Sequence, residues 1–597
     1  MNMKGQRKWI LMTAALVASS LLIGCVGKGP VPQASTTMQA ERVLLSGNIQ
    51  TQNSAQPAAQ ALAMKDGKIV YVGDNAGAEK FMGPNTQVEN VNGKLVLPGL
   101  VDAHTHPGTI GYFADAQALP DAPTVAVIQA WLTDYVNDNP EAKVIVAGSW
   151  RTLDFGVTGP NKRIIDEVVS HIPVLLFDDS GHSQLLNSKA LELMGVDKNS
   201  LDPSTDLSFF ARDENGEPTG WVKEFAAIPF LAKVYQKGEN FQMVLKAFVD
   251  YMAYSGVTTL FDGGNLAFED DVYTELKRLD DNGELPIHIE AVHHLYLPNM
   301  IDGALAEFKR LKKNYEGKNL KFNTIKIHFD GVNEIRTSAL SQPFSDDPST
   351  SGGTLMTQTR LLEFMLELHR ENVDLHMHTV GDRAVTMALD AFEQARQKVK
   401  GEFNVRLTLT HLEYVQMEDV KRFKPLGVIA NFTPHWYGGY IEGAEVTVGH
   451  ERESWGMRVT PYIEEGAVVT YSSDVVTPDE FDRANPFFGM QTIHTRQEVQ
   501  DGKDAQVTLP LHDRISMENL IRGYTQGGAY QLRMEDTKGS IEVGKNADIV
   551  IMRENLFEMD KYEISEAKVL KTFKDGEVIY ERNFVAIAEE IIYDLFF

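Results

Sequence analysis

The residue pattern with the clearest chemical potential is a His-x-His pair, His104 and His106, in the segment LVLPGLVDAHTHP. Alternate side chains of a β-strand share one face, so both imidazoles would point the same way where the apolar run ends. Two imidazoles placed in this way can bind one divalent metal ion. Because buried structural histidines often produce such pairs, a lone His-x-His is a weak signal, and the interpretation depends on further ligands elsewhere in the chain.

Further polar residues lie in or just past other apolar segments, where an unpaired ionisable group would be costly. They are Lys326, His378, His411 and Asp474. If the segments are parallel strands of one barrel, their carboxyl ends meet at one mouth, where four imidazoles and a carboxylate would surround divalent metal. Asp474 is then the candidate for proton transfer, the alternative being a structural helix cap.

Alternating strand and helix patterns in the middle of the chain predict a (β/α)8 barrel. After the strand that carries His104 and His106, seven strands are expected: VTTLFD (257–262), LPIHIEAV (285–292), NTIKIHFDG (323–331), VDLHMHTVG (373–381), RLTLTHLE (406–413), GVIANFTPH (427–435) and AVVTYSSD (467–474). Residues 108–237 are too many for a loop and predict a large insertion after the first strand, with its own fold.

Strand-like segments at both ends of the chain predict a small β-sandwich built from the two ends together. RVLLSGNIQT and AQALAMKDGKIVYVG lie near the start, and KGSIEVGKNADIVIM and VLKTFKDGEVIYER lie near the end. Asp-Gly and Asn-Gly dipeptides in these segments are turn signals. We therefore expect an α/β protein with these boundaries: sandwich, 42–98 and 536–584; barrel, 99–535; C-terminal tail of unassigned role, 585–597.

The first 25 residues resemble a lipoprotein signal peptide. A basic start is followed by the apolar stretch WILMTAALVASSLLIG and then by Cys25, the only cysteine. LIGC resembles a bacterial lipobox, in which the cysteine is lipidated and becomes the mature N-terminus, and residues 26–41 would form a flexible tether. The alternative is an uncleaved anchor helix, for which the apolar stretch is short. Val26 after the cysteine favours the outer membrane of a Gram-negative cell, facing the periplasm.

The composition narrows the classes of partner. The net charge is −27, from 56 Lys and Arg against 83 Asp and Glu, so the chain would repel polyanions and nucleic-acid binding is not expected. One cysteine leaves no disulfide within the chain and no cysteine-based metal site. A homodimer is left open.

Several motifs together resemble the amidohydrolase superfamily, and within it the YtcJ-like group (amidohydrolase family 3) that includes N-substituted formamide deformylase. The resemblance covers about residues 42–582. The motifs are PGLVDAHTHP, GHSQLLNSKAL (181–191), GEPTGWVKE (216–224), GVTTLFD, IKIHFDG, RTSAL (336–340), HTVGDRAV (378–385), THLE, YSSD and KGSIEVGKNADIVIM.

The resemblance implies one or two divalent metal ions, with zinc favoured and manganese, iron and cobalt as alternatives. His104 and His106 would bind the more buried ion, and His378 and His411 the second. Lys326 occupies the position at which many binuclear relatives carry a carboxylated lysine that bridges both ions.

Two interpretations of Lys326 stay open, a carboxylated lysine and an ordinary ammonium. Its ammonium could instead pair with Asp330, on the same face of the strand. His328 and His376 share faces with Lys326 and His378, and we expect each to lie one pleat deeper, as a second layer around the metal or as core.

The resemblance implies hydrolysis of a C–N bond in a small-molecule amide or formamide-like substrate, by metal-activated hydroxide with Asp474 as general acid and base. His182 or His435 would help to stabilise the oxyanion. One alternative is a hydrolase of N-acyl amino acids, dipeptides or cyclic amides. The other is a non-catalytic envelope protein that binds or regulates and retains the fold.

Candidate substrate-binding residues are His182, Arg336, Arg383 and His435. Arginine offers a planar fork that fits a carboxylate. Arg383 could equally hold the start of its helix. Trp221 and Glu224 could line the pocket or serve as core or surface residues.

Overall fold

The computed structural model describes residues 38–120, 123–439 and 444–583. The predicted signal peptide with Cys25, most of the tether and the C-terminal tail lie outside the described residues. Within them, no helix is both long enough and apolar enough to span a bilayer.

Eight parallel strands form the predicted barrel sheet, and they follow one another in chain order. We number them barrel strands 1 to 8: Leu100–Thr105, Val257–Asp262, His288–Leu295, Leu320–His328, Asp374–Thr379, Leu407–His411, Ile429–Phe432 and Val468–Tyr471. Nearly all their residues are buried, as expected for parallel strands that are covered on both faces. The (β/α)8 fold predicted from the sequence is confirmed.

The barrel closes where strand 8 ends beside strand 1. The Asp474 amide donates to the carbonyl of His104 at 2.8 Å, and the His106 amide donates to the carbonyl of Val475 at 3.1 Å. The side chain of Asp102 reinforces this junction, because it accepts from the amide of Ser473 at 3.1 Å. The first and last strands are therefore fixed at the level where the histidines emerge.

Amphipathic helices surround the barrel. The helices between successive barrel strands are Phe241–Tyr254, Glu269–Asp281, Ala304–Tyr315, Gln358–Glu371, Asp382–Lys398, Met417–Val420, Phe423–Leu426, Ala444–Val448, His450–Glu453 and Thr460–Glu464. After strand 8 come Pro486–Thr495, Met517–Arg522, a π-helical turn at Gly523–Gly527, and Gly528–Gln531. Helix Gln358–Glu371 shows how the local sequence sets the ends: Thr357 accepts from the Arg360 amide, and Asn372 ends the helix in the left-handed region.

Two further sheets form the β-sandwich predicted from the chain ends. One sheet orders its strands as Lys68–Gly73, Ala61–Lys65, Arg42–Leu45 and Gln87–Asn90. The other orders them as Glu577–Glu581, Val569–Lys574, Ile549–Met552, Leu95–Pro98, Asn48–Gln50 and Ala58–Ala59. The two chain ends meet in the second sheet, where Val550 pairs with Leu97 in antiparallel register. Apolar residues of both sheets, including Leu44, Leu62 and Ile549, share one core.

The predicted insertion after barrel strand 1 has its own sheet and core. Its strands are ordered Phe209–Arg212, Pro218–Lys223, Ser183–Leu186, Val174–Asp178, Ile145–Trp150 and Gln117–Ala118. Its helices are Pro107–Tyr112, Val125–Asp138, Arg163–Asp166, Ser188–Met194 and Ile228–Val234. Trp150 and Trp221 are buried in this core, which makes Trp221 a packing residue of the insertion.

Candidate metal centre

A first group of ligand atoms lies where barrel strands 1 and 8 end. Oδ1 of Asp474 is 3.2 Å from Nε2 of His104 and 3.2 Å from Nε2 of His106. With metal–ligand bonds of about 2.0–2.1 Å, two ligands of a tetrahedral zinc ion lie about 3.3 Å apart. The Asp474 oxygen therefore has the spacing to both imidazoles that a single ion requires.

Hydrogen bonds hold the two imidazoles of this group in place. Nδ1 of His106 donates to the carbonyl of Gly264 at 2.8 Å. That turn is itself held by Asp262, which accepts from the Gly264 amide at 3.0 Å. Nδ1 of His104 lies 2.8 Å from Nε2 of His376. Both rings thus use Nδ1 for support and present Nε2 to Asp474, as metal-binding histidines commonly do.

The space between the two imidazoles is kept open by a glycine. A β-carbon on Gly263 would lie 2.8 Å from Nε2 of His104 and 2.9 Å from Nε2 of His106. Real Cβ atoms essentially never come this close to another atom. Any larger residue would therefore intrude on the nitrogens that face Asp474, so the cradle fits a bound ion rather than a side chain.

Asp474 is held in a strained backbone conformation. Its φ is 50°, and His411 has φ 74°, in the left-handed region that non-glycine residues rarely adopt. Such strain costs on the order of 1–3 kcal/mol and clusters at functional sites. Although burial alone would raise the pKa of Asp474, the surrounding His104, His106 and His411 hold it well below its usual range. The group is therefore a carboxylate at neutral pH.

His411 lies on the other side of this carboxylate. Its Nδ1 is 3.5 Å from Oδ2 of Asp474, and this nitrogen is buried with no hydrogen-bond partner. The ring stacks on Trp436 with centroids 5.1 Å apart and lies 4.5 Å from the ring of His378. His411 thus stands between the first group and the histidines around His378, with a nitrogen available for a ligand.

Lys326 faces the same space. Its Nζ is 3.2 Å from Nε2 of His104, and burial lowers its pKa to about 7. Asp330, the alternative ion-pair partner, instead accepts from His378 and from the amides of Val380, Gly381 and Ala339. Within the described residues, no ion pair joins Lys326 to Asp330. A lysine with a lowered pKa has a larger neutral fraction, and the neutral amine is the form that captures CO2.

A second group of potential ligands consists of His182, His328 and His378, whose ligand atoms all lie within 4.8 Å of one another. His182 comes from the insertion, and its Nδ1 is 2.8 Å from Oε2 of Glu224. Burial lowers the pKa of His182, but Glu224, with smaller contributions from Asp178 and Glu334, more than offsets this, so that the net shift is upward. The rings of His328 and His378 stack with centroids 4.0 Å apart.

The expectation that His328 lies one pleat deeper than the site is wrong. Strand numbering rises toward the barrel mouth, so His328 is nearer the mouth than Lys326. The strand register pairs His328 with His378, and Lys326 with His376. His376 does lie in the second layer, against His104 and stacked on Phe261.

Burial keeps most of these imidazoles uncharged. It lowers the pKa of His104 to about 3, with nearby Lys326 adding to the effect. Burial also holds the pKa values of His328, His378 and His411 well below their usual range. The neutral imidazole is the form that binds a metal ion. The donor set of both groups therefore fits divalent metal.

The four substrate-binding candidates have different surroundings. His182 lies within the second group. His435 lies beside the first, where its Nε2 donates to the carbonyl of Ser473 at 2.7 Å. The guanidinium of Arg336 pairs with Asp346 at 2.5 Å, and that of Arg383 donates to the carbonyls of Leu340, Ser351 and Gly352. Both arginines thus brace loops, and the structure does not bring them into the histidine groups.

Sequence reasoning missed some contributors to the site. Gly263 follows strand 2 directly, and His294 lies buried at the end of strand 3 with both ring nitrogens lacking a hydrogen-bond partner. Trp436, next to the candidate His435, covers His411. The signal that could have found them is position alone, since each lies at or just past the carboxyl end of a barrel strand.

Comparisons with known proteins agree with this geometry. Residues 87–580 match the amidohydrolase family Amidohydro_3. N-substituted formamide deformylase from Arthrobacter pascens is 24% identical over 568 residues, which cover 92% of this chain and 99% of that protein. The putative amidohydrolase YtcJ from Bacillus subtilis strain 168 is 25% identical over 541 residues, covering 88% and 96%. The exoenzymes regulatory protein AepA from Pectobacterium carotovorum is 27% identical over 405 residues, covering 66% and 86%.

Solved structures share the fold. An uncharacterized metal-dependent hydrolase from Pyrococcus horikoshii superposes with a TM-score of 0.63 at 23% identity, covering 87% of this chain and 99% of that one. A counterpart from Pyrococcus furiosus gives 0.61 at 23% identity, covering 87% and 100%. Since the family match spans most of the chain and the ligand side chains meet at the barrel mouth, the protein belongs to the amidohydrolase family as a metal-dependent hydrolase.

Proposed function

We propose that the protein hydrolyses a non-peptide C–N bond of a small-molecule amide or formamide-like substrate. The observation that carries the proposal is the position of the Asp474 carboxylate, with Oδ1 between His104 and His106 and Oδ2 toward His411. One carboxylate can thus contribute a ligand atom on one side and exchange a proton on the other. One similar protein is named N-substituted formamide deformylase, and this name supports a formamide-like C–N bond as the bond that is cleaved.

A divalent ion at this centre would act as a Lewis acid and would lower the pKa of a bound water to about 7. His104, His106 and Asp474 would hold such an ion, and Lys326 and His411 face the same space. Oδ2 of Asp474 can accept the proton of the attacking water and return it to the leaving nitrogen, because the surrounding imidazoles keep this carboxylate ionised at neutral pH.

His182 is one of the side chains through which the insertion reaches the centre, and Phe225, which packs against His328, is another. The other substrate candidates already use their polar atoms on the protein's own backbone or on Asp346. We therefore propose that the insertion, residues 108–237, determines which amide fits the barrel mouth.

The test is a screen of N-formyl and N-acyl amines against zinc-loaded and manganese-loaded protein, with N-acyl amino acids, dipeptides and cyclic amides as further arms. We expect hydrolysis of an N-formyl or N-acyl amine, reduced on the order of 10²–10⁴-fold in Asp474→Asn. Full activity in this variant would contradict the assigned role. Less than one metal ion per chain, with no activation by added zinc, would favour a non-catalytic protein.

A further inference from the structure

We propose that His182, His328 and His378 bind a second divalent metal ion, so that the insertion supplies one ligand of the metal centre. The proposal rests on the proposed function in one respect, that a first ion is bound by His104, His106 and Asp474. It differs from the expectation drawn from the sequence, in which Lys326 and His411 accompany His378 at the second ion.

The three imidazoles come from three separate elements. His328 ends barrel strand 4, His378 lies near the end of strand 5, and His182 lies in the turn between insertion strands Val174–Asp178 and Ser183–Leu186. Their ligand atoms all lie within 4.8 Å of one another. Small ring rotations would therefore bring them to the separation of about 3.3 Å that a tetrahedral ion requires.

His328 gives the strongest reason to expect a ligand here. It is only 9% exposed, and neither Nδ1 nor Nε2 has a hydrogen-bond partner. The ring is packed between His378 and Phe225, at centroid distances of 4.0 Å and 4.6 Å. Burying an imidazole with both nitrogens unsatisfied is costly, and a bound ion would satisfy one of them.

The other two imidazoles are each oriented by a carboxylate. Nδ1 of His182 is 2.8 Å from Oε2 of Glu224, and Nδ1 of His378 is 3.2 Å from Oδ1 of Asp330. Because a carboxylate only accepts, Nδ1 carries the hydrogen and Nε2 is left as the ligand atom. Pairing of this kind between carboxylate and histidine is the usual support of a metal-binding imidazole.

The two carboxylates are themselves fixed. Thr337 donates its hydroxyl to Oε1 of Glu224 at 2.5 Å. Asp330 accepts from three backbone amides, at 2.9 to 3.0 Å. The positions of His182 and His378 are thus determined by a second layer that spans the insertion and the barrel.

The donor chemistry predicts which ions bind. Three imidazole ligands without a carboxylate favour zinc, cobalt or nickel over manganese, magnesium or calcium. The first group, with two imidazoles and one carboxylate, is less selective. Zinc should therefore fill both sites, and manganese only the first.

The experiment measures metal content of the full chain by plasma mass spectrometry after loading with zinc and dialysis, in wild type, His182→Gln and His328→Gln. His288→Gln is the matched control: His288 is also 9% exposed with an unpartnered Nε2, but it begins barrel strand 3, at the opposite end from the site. We expect two zinc ions in wild type and the control, and one in each test variant.

A second readout does not depend on activity. With the second ion lost, amide hydrogen exchange should rise in the insertion, around Val174–Asp178 and Ser183–Leu186, in His328→Gln and not in His288→Gln. Visible absorption of the cobalt-loaded protein should lose the contribution of one site. Circular dichroism identifies a variant that has not folded, in which case the pair is judged on His182→Gln, whose side chain is 16% exposed.

The outcomes separate this inference from the proposed function. Two zinc ions in both test variants would overturn it, as would loss of the second ion in Lys326→Gln and His411→Gln but not in His182→Gln. A changed KM in His182→Gln with unchanged metal content would make His182 a substrate contact and would also overturn it. If zinc content follows the expectation but no amide is hydrolysed, the proposed function fails and the metal site stands.

Discussion

Gly263 passes so close to His104 that a β-carbon at this position would lie 2.8 Å from Nε2 of the imidazole. We therefore predict that Gly263→Ala lowers the affinity for the first ion, on the order of 10–100-fold, because the methyl group occupies the space between the two imidazoles. Isothermal titration of the metal-free protein with zinc measures this loss.

Gly303→Ala is the control for this substitution, since a β-carbon there meets no atom within 4 Å. Neither glycine has a positive φ, so the backbone conformation at both positions is one that alanine can adopt, and the two variants differ only in what the added methyl group contacts. Equal zinc affinity in Gly263→Ala and wild type would show that the cradle is not a metal site.

Lys326 should be sensitive to dissolved CO2. Burial lowers its pKa to about 7, and its Nζ lies 3.2 Å from His104. We propose that the amine becomes carboxylated when metal is bound, and predict that bicarbonate raises both zinc content and activity of metal-free protein during reconstitution. Lys326→Gln should remove the bicarbonate effect. Identical reconstitution in CO2-free buffer and in bicarbonate would contradict this.

The sequence predicts those features of the structure that have a periodic pattern of apolar residues. The barrel, the sandwich from both chain ends and the insertion follow from strand patterns and turn signals, and the structure confirms them. The pairing of Arg336 with Asp346 depends on the path of a long loop after strand 4, which no periodicity encodes. His328 lies nearer the barrel mouth than the alternation of strand faces suggests, because its position along the strand decides which residues it contacts.

Glu290 should make the folded protein less stable as the pH rises. It is buried in barrel strand 3, and burial raises its pKa from the ordinary 4.5 to about 8. Between these two values the folded state holds a proton that the unfolded chain has released, so this group's contribution to stability is full below pH 4.5 and is lost as the pH rises toward 8.

Glu290→Gln removes that proton exchange while keeping the shape of the side chain. We predict that its melting temperature relative to wild type rises between pH 5 and pH 8, by roughly a few degrees, since each unit of pKa shift corresponds to about 1.4 kcal/mol. Differential scanning fluorimetry at several pH values measures this. Glu577→Gln, at an exposed position, is the control. A difference that does not change with pH would refute the prediction.

The prediction of a membrane location depends on Cys25. We propose that it is lipidated and anchors the protein to the outer membrane, as the preceding LIG and apolar stretch indicate. In cells, Cys25→Ser should prevent incorporation of labelled palmitate and shift the protein out of the membrane fraction. Ser20→Ala, within the same stretch, serves as the control. Palmitate incorporation that persists in Cys25→Ser would argue against lipidation at this residue.

The junction at Asp102 determines when the site can form. Asp102 accepts from Ser473, 371 positions later in the chain, and Leu95–Pro98 pairs with Ile549–Met552. Contacts so distant in sequence form slowly, because the loop between them must be closed first. The strands on both sides of Gly99 are Leu95–Pro98 and Leu100–Thr105. During synthesis, each of them therefore keeps one edge unpaired until almost the whole chain has been made. The ligands on strand 1 meet Asp474 only when the ring closes, so the metal centre is one of the last parts of the fold to assemble.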